Sequence, residues 1–191
     1  MPFVGHENDF AAMGARCINT EVDRRGINPK TDMKLLKTYR KLMKEENPGL
    51  VITYSIKPNV YAGIVCSLCG IPYYANVQGL GTAFQKPGLA QLVTMLYKVA
   101  LCKTKGVFFE NEVNAEEFRK RNILKREQQI VLKGAGINLE YYPYKQYPEN
   151  EKVHFLYLGR IMREKGMDEL FAAAKKLHSE GEQFVLDLVG F

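Results

Sequence analysis

Positive charge is concentrated in one short interval near the carboxyl end of the 191-residue chain. In the text FLYLGRIMREKGMDELFAAAKKL, a short apolar run predicts a strand and the amphipathic run after it predicts a helix. Arg160, Arg163 and Lys165 stand between them, and Gly159 and Gly166 bound the interval. In α/β folds ligands bind where a strand leads into a helix, because backbone N–H groups and the helix dipole favour an anion there. The interval therefore predicts a phosphate-binding turn.

Two of these cations suit complementary contacts with a diphosphate. Arg160 can grip phosphate oxygens with two parallel donors, while Lys165 adds a compact charge on a flexible stem. The competing interpretation is a solvated turn whose cations, Arg163 among them, pair with Glu164 and Glu169. No Gly-rich Walker pattern accompanies the interval, so residue types alone leave both interpretations open.

A second candidate is the loop NVQGLGTAF, which follows a predicted apolar strand. Gly79 and Gly81 would let the backbone adopt positive φ or approach a ligand closely, and Gln78 precedes them. The loop fails as a dinucleotide fingerprint, because Phe84 stands where GxGxxG requires a third glycine. A tight turn is the alternative interpretation.

Two further candidates follow the ends of other predicted strands. Lys57 precedes Pro58 at a predicted helix start. Its ammonium could point into a ligand cleft at the carboxyl ends of the strands, or Lys57 could be an ordinary surface lysine. Asn111 and Glu112 end the strand GVFFEN. Capping of the next helix by Asn114 with Glu117 accounts for part of that second pattern.

Metal sites and nucleophilic catalysis have no comparable signal. The three histidines are scattered without metal-ligand spacing, and no GxSxG or HExxH motif occurs. Cys66 and Cys69 resemble a CxxC pair but lie in an apolar helical run, which predicts small buried residues. We therefore expect no metal. The absence of a secretory signal before the four cysteines favours a reducing, cytoplasmic compartment.

Alternating helical and apolar segments predict an α/β fold. The strands read as continuous apolar runs, which favours a parallel sheet covered by helices on both faces. ARCINTEV, residues 15–22, is predicted as a strand, and Thr31 or Asp32 as the cap of the helix after it. The Pro- and Tyr-rich text from 137 to 152 reads as a hinge. We assign residues 1–140 to a first Rossmann-like domain, 141–152 to a linker, and 153–191 to the first βαβ of a second such domain.

The charge of the chain limits its partners only loosely. A formal net charge of +6 permits nucleic acid, anionic membrane surfaces or phosphate-bearing substrates. Most cations lie on predicted helices such as KLLKTYRKLMKEE, where alternating charge is typical of a solvated face. No apolar run reaches the roughly 18 to 20 residues that a transmembrane helix needs, so any membrane contact would be peripheral.

The ordered set of segments resembles the retaining glycosyltransferases of family 4, which have the GT-B fold. The matching text runs from about Asp23 to the last residue and includes DRRGINPKTD, YSIKPNVYAG, NVQGLGTAF, VFFENEVNAEEF, IVLKGAGINLEYY and GRIMREKG. The last of these is the most specific single motif. Similar enzymes build bacterial capsular polysaccharide or lipid-linked oligosaccharide.

This resemblance implies an activity and a role for each domain. The amino-terminal domain would handle the acceptor, a glycan or a polyprenyl-diphosphate-linked sugar, and the carboxyl-terminal domain a nucleotide sugar, UDP-linked by expectation. Arg160 and Lys165 would hold the diphosphate without a metal or other cofactor, and the loop from Gly79 to Gly81 would face the reacting centre. Nucleic acid is not an expected partner. The expected location is the cytoplasm, with peripheral contact to the inner membrane face as an option.

The chain departs from the family pattern in two respects. Many relatives have histidine where Gln78 stands, and glutamine can bind a hydroxyl but cannot take a proton. The family's first βα unit and its two-glutamate donor motif would lie outside the chain, so we expect a fragment of marginal stability, prone to dimerise or aggregate and inactive as a transferase. A non-catalytic phosphate-binding module and a sugar-nucleotide epimerase of the same fold are the alternatives.

Overall fold

The computed structural model describes residues 5–22, 28–81, 84, 87–147, 149 and 151–190. The chain divides into two compact units, Met1–Gly136 and Ile137–Phe191. The acceptor-side and donor-side roles of the two predicted domains, and the linker at 141–152, remain predictions. Each unit is described by itself below.

The first unit is built around a four-stranded parallel sheet whose strand order follows the chain, β1-β2-β3-β4. Helices connect the successive strands, so each connection is a β-helix-β crossover. The elements are α1 Glu7–Ala12, α2 Pro29–Glu46, β1 Val51–Tyr54, α3 Ile56–Cys69, β2 Tyr73–Val77, α4 Pro87–Leu101, β3 Gly106–Phe109, α5 Glu112–Lys120 and β4 Gln129–Val131.

One face of this sheet forms the core with the helices. Alternate residues of β2 and β3 are buried, because successive side chains of a strand point to opposite faces. Aromatic rings of α4 and α5 pack there: Tyr97 and Phe118 have ring centroids 5.0 Å apart, and Phe118 and Phe109 5.1 Å. Helix α2 contributes Leu35, Tyr39 and Met43 to the same cluster.

The other face of the sheet is exposed, which corrects the expectation of helices on both faces. Ile52, Tyr54 and Ile130 are 51%, 52% and 38% exposed. The strand order follows the chain, so every crossover steps in the same direction across the sheet. Right-handed crossovers of this kind place their helices on the same face. Within the described residues, the α/β fold class is thus confirmed, while the helical cover is confined to one face.

The strand predicted at residues 15–22 is wrong. This segment forms neither helix nor strand. It runs beside α2, where Arg16 pairs with Glu46 and Glu21 with Lys34. Thr20 is buried there. A segment becomes a strand only where a neighbouring strand supplies backbone partners, and no strand of the described sheet does so for this one.

Helix α2 begins three residues earlier than Asp32, so its predicted cap is also corrected. Asn28 is the N-cap, and its side-chain oxygen accepts hydrogen bonds from the amides of Lys30 and Thr31 at 3.0 and 3.5 Å. Pro29 occupies the first helical position, which suits its fixed φ and missing N–H. The helix ends at Glu46, and Asn47 follows it with a left-handed backbone.

The CxxC pair of α3 separates into one buried and one exposed thiol. Cys66 is fully buried, and burial raises the pKa of its thiol to about 11, with nearby Cys69 adding to the shift. Cys69 is exposed in the last turn of α3, contrary to the prediction that both are buried. Among the described residues, no group of three or more histidines, cysteines and carboxylates could hold a metal ion.

Gly63 allows α3 and α4 to pack closely. A Cβ at this position would lie 2.9 Å from the carbonyl oxygen of Ala100 in α4 and 3.5 Å from the ring of Tyr73. Backbone cannot move aside as a flexible side chain can. The contact therefore requires glycine.

We expect Gly63→Ala to lower the free energy of unfolding by about 1–3 kcal/mol through overpacking, although alanine favours helix by about 1 kcal/mol. Gly88→Ala in α4 is the matched control, because a Cβ there meets no atom within 4 Å. Urea denaturation of both variants is the measurement. If Gly63→Ala were as stable as Gly88→Ala, the close helix contact would be refuted.

The second unit is a single βαβ motif, as predicted. It comprises β5 Val153–Leu158, α6 Met167–Ser179 and β6 Phe184–Val189, with the two strands parallel and Val153 opposite Phe184. A single turn of 3-10 helix, Arg163–Lys165, leads from β5 into α6. In the part of the chain that the structure describes, no helix is long and apolar enough to cross a membrane.

Candidate functional site

A cavity of about 250 Å³ opens where β1 and β2 end in the first unit. Its walls come from the turn between β1 and α3, from the end of β2 with the following loop, and from α4. The lining residues are Ser55, Ile56, Asn59, Asn76, Val77, Gln78, Gly79, Gly81 and Tyr97. We call this the strand-end cavity. Its place at the carboxyl ends of parallel strands is the usual ligand position in open α/β sheets.

Asn59 fixes the floor of the strand-end cavity. It is 1% exposed, its amide nitrogen donates to the carbonyl oxygen of Asn76 at 2.8 Å, and its amide oxygen accepts from the Thr53 hydroxyl at 2.7 Å. These bonds tie α3 to both β1 and β2. No sequence pattern marks Asn59, because one polar residue in the first turns of an apolar helix resembles an ordinary surface position.

Two backbone conformations shape the rim of the cavity. Ser55, with φ 73° and ψ 160°, adopts a conformation that is nearly restricted to glycine and costs of the order of 1–3 kcal/mol. Gly81 has φ 65°, and a Cβ on it would also lie 3.3 Å from Ile56 Cδ1. Glycine is therefore favoured at position 81, as its place in the GxG pattern predicted, whereas Gly79 does not adopt positive φ.

The strand-end cavity is uncharged and combines apolar with polar side chains. Every lining side chain is neutral. Burial raises the pKa of Tyr97, so its phenol stays protonated, and hydrogen bonding to Asn59 opposes this shift only in part. The Asn76 Oδ1 atom is buried and accepts no hydrogen bond from any described residue. An uncharged lining suits a small hydroxylated group better than it suits an anion.

The cavity brings together only some of the residues singled out in the sequence. Gln78, Gly79 and Gly81 all line it. Asn111 instead caps α5, accepting a hydrogen bond from the Asn114 amide at 2.8 Å, so the predicted capping role of Asn114 is wrong. Glu112 pairs with Arg119 at 2.6 Å. Neither Asn111 nor Glu112 lines the strand-end cavity.

Lys57 lies in the first turn of α3 but points away from the strand-end cavity. Its ammonium donates to Asp32 Oδ1 at 2.8 Å, and the two side chains are 13% and 7% exposed. Asp32 also accepts from the Asn28 amide at 3.3 Å. With burial as the larger cause, the Asp32 carboxylate helps to raise the pKa of Tyr61 to about 12. The ion pair borders a separate polar cavity beside α2.

The cationic turn, Gly159–Gly166, is the candidate site of the second unit. Gly159 donates its amide to the Val189 carbonyl at 3.0 Å, and the Tyr157 hydroxyl donates to the Arg160 carbonyl at 2.7 Å. Gly166 has φ 78°, a left-handed conformation that turns the chain into α6. The first intrahelical bond of α6 joins Leu170 to Gly166, so the amides between them have no helical partner.

The three cations of this turn differ in their surroundings. Arg163 pairs with Asp168 at 2.8 Å. Arg160 and Lys165 are exposed and form no ion pair with any residue that the structure describes. The alternative pairing with Glu164 and Glu169 is not observed for these two side chains. Arg160 and Lys165 are therefore available to an anion, whereas an anion would have to displace Asp168 from its exposed ion pair with Arg163.

Several solved structures share the fold of this chain. A glycosyltransferase from Rickettsia africae superimposes with a TM-score of 0.62 at 16% identity, over 96% of this chain and 49% of that chain. MnaA from S. aureus, solved with UDP, gives 0.51 at 16% identity over 94% and 50%. The UDP-GlcNAc 2-epimerase of Methanocaldococcus jannaschii, solved with UDP-GlcNAc and UDP, gives 0.51 at 12% identity over 94% and 53%.

What these proteins share with the chain is the fold. The predicted GT-B-like α/β class is thereby confirmed, and the chain spans about half the length of the solved structures it matches. No protein-family model and no curated protein matches the chain. Membership of family 4 and retention of anomeric configuration remain predictions.

Proposed function

We propose that the chain is part of a glycosyltransferase that moves a sugar from a nucleotide-diphospho-sugar to a glycan or lipid-linked acceptor in surface polysaccharide biosynthesis. The observation that carries the proposal is the cationic turn. Arg160 and Lys165 project from a strand end beside the amino end of α6 and pair with no described carboxylate. A diphosphate would supply the missing counter-charge.

The chemistry of sugar transfer explains why such a turn would matter. Cleavage of the sugar–phosphate bond leaves negative charge on the departing nucleoside diphosphate, while the sugar becomes cation-like. Fixed cations beside the leaving oxygens stabilise that charge in the transition state. Arg160 would bind two oxygens at once and Lys165 a third, so the two side chains together can do the work that a metal does elsewhere. We accordingly propose that no metal or other cofactor is needed.

The strand-end cavity supports the same proposal from the first unit. Its uncharged lining, which includes Ser55 and Gln78, suits a sugar hydroxyl. At about 250 Å³ it lies below the range of roughly 300–1,000 Å³ typical of pockets for drug-sized ligands, so a single hydroxylated group fits it better than a whole nucleotide sugar. We assign Gln78 and the loop from Gly79 to Gly81 to contacts with that group.

A sugar-nucleotide epimerase is the second candidate, because two of the structures with the same fold are MnaA with UDP and a UDP-GlcNAc 2-epimerase. A binding module without catalysis is the third. For all three we propose a UDP-linked ligand. For the transferase we propose a cytoplasmic location with the acceptor presented at the membrane.

Incubation with UDP-GlcNAc separates the candidates. Saturation-transfer NMR would report binding of the nucleotide sugar and its displacement by UDP, while anion-exchange chromatography would report products. The transferase proposal predicts that UDP-GlcNAc and UDP compete for binding. If the sugar–phosphate bond is cleaved, free UDP is the nucleotide product. A UDP-sugar inverted at C2 would favour the epimerase instead. Absence of saturation transfer to both ligands would contradict all three.

A further inference from the structure

The exposed face of α2 carries a continuous row of lysines. Five of them recur at intervals of four, three, four and three residues along the helix. They are Lys30, Lys34, Lys37, Lys41 and Lys44, and all five are exposed. We call this row the lysine stripe. At 1.5 Å per residue its ends lie about 21 Å apart along the helix axis.

Helical geometry directs the whole stripe outward. At 3.6 residues per turn, the five lysines fall within about 40° of one line along the helix. Leu35, Tyr39 and Met43, which are buried in the core, lie on the opposite side. No other residue of α2 falls inside that outward sector, so no acidic side chain is interleaved with the lysines.

The stripe retains most of its charge. Lys34 pairs with Glu21 at 3.4 Å and Lys41 with Glu45 at 3.7 Å, but these side chains are mostly exposed and such pairs are weak. The remaining three lysines, Lys30, Lys37 and Lys44, form no ion pair with any described residue. A merely solvated helix face would interleave both signs of charge, as the sequence interpretation assumed.

An anionic bilayer matches the stripe better than nucleic acid does. Binding of single-stranded nucleic acid uses exposed aromatic rings on which bases stack, and the only aromatic residue of α2, Tyr39, is buried. Met33, which is 55% exposed, and Arg40 flank the stripe. An apolar side chain between long cations suits the boundary between headgroups and acyl chains.

We propose that the lysine stripe of α2 docks the protein on membranes that contain anionic phospholipid. The five ammonium groups lie along the bilayer surface, and Met33 enters the headgroup layer. Docking depends on charge, so it weakens as salt rises. It does not depend on the proposed transferase activity, because α2 contributes no residue to the strand-end cavity.

Cosedimentation of the full chain with vesicles tests this proposal. Vesicles of phosphatidylcholine with 40% phosphatidylglycerol are compared with pure phosphatidylcholine at 0.05 and 0.5 M NaCl. The wild-type chain should bind only the anionic vesicles, and only at low salt. The triple variant Lys30→Gln, Lys37→Gln, Lys44→Gln should bind them about 100-fold more weakly, since each lysine near such a surface contributes a factor of about five.

A second triple variant controls for net charge. Lys98, Lys125 and Lys133 are exposed and lie outside α2, so changing all three to glutamine removes the same charge elsewhere. This variant should bind within about threefold of wild type. Equal losses in both variants, or none in the α2 variant, would overturn the proposal. Binding of single-stranded RNA that is lost in the α2 variant, without vesicle binding by wild type, would assign the stripe to nucleic acid and equally overturn it.

Discussion

Replacement of both Arg160 and Lys165 with alanine is expected to lower the affinity of the chain for UDP by about 100-fold. A hydrogen bond to a charged group contributes about 1.5–3 kcal/mol, and we take the lower value because both side chains are exposed. Each cation is then worth about a factor of ten. Isothermal titration calorimetry with UDP and with pyrophosphate measures the effect, and both ligands should lose affinity in parallel because they share the diphosphate.

The third cation of the turn supplies the matched control. Arg163 pairs with Asp168 at 2.8 Å, and a diphosphate would have to displace that carboxylate, so Arg163→Ala should change UDP affinity less than Arg160→Ala does. Arg160→Lys adds a finer test, because it keeps the charge but removes the two parallel donors, and we expect it to fall between wild type and Arg160→Ala. Equal losses in Arg163→Ala and Arg160→Ala would mean that only the overall charge of the turn matters, which would contradict the assignment.

Replacement of Lys57 with methionine is expected to lower the free energy of unfolding by about 3–5 kcal/mol. The variant leaves the Asp32 carboxylate buried without its cation, and an unpaired buried charge is costly. Asp32→Asn in the same chain should recover part of the loss, since it removes the stranded charge. Chemical denaturation of the two variants measures both effects.

Lys34→Met is the control for this pair. Lys34 also pairs with a carboxylate beside the same polar cavity, but its side chain is 75% exposed, so we expect a loss below about 1 kcal/mol. If Lys57→Met cost no more than Lys34→Met, the buried pair would not stabilise the fold. Should Lys57→Met instead weaken UDP binding at unchanged stability, the sequence-based view of Lys57 as a cleft ligand would be restored.

The architecture was largely predictable because it depends on local patterns. The apolar period of α2, the glycine that ends α3 and the apolar runs of β2 and β3 each identify an element without knowledge of its neighbours. The segment at residues 15–22 was mispredicted for the opposite reason. A strand requires a partner strand, and the residues of the segment itself cannot reveal whether one is present.

The candidate site was predictable only where glycine or charge marks a position. The GxG pattern identifies Gly81 and the cluster of cations identifies the cationic turn, and both lie where a ligand site is expected. No sequence pattern identifies Asn59 or Ser55, because a buried amide and a strained backbone arise from tertiary packing. The place of Lys57 after a strand leaves open whether it is a cleft residue or an ordinary surface lysine. The direction of its side chain depends on Asp32, 25 residues earlier, which no local pattern could indicate.

A ¹⁵N NMR titration of the chain with pyrophosphate and then UDP tests the role of the cationic turn most directly. We expect the largest amide shifts for both ligands at Gly159, Arg160 and the residues from Gly166 to Asp168, with little change along the lysine stripe of α2. Shifts that spread over the stripe and leave the turn unaffected, or no saturable shift in the turn with either ligand, would contradict the assignment of this turn as a diphosphate site.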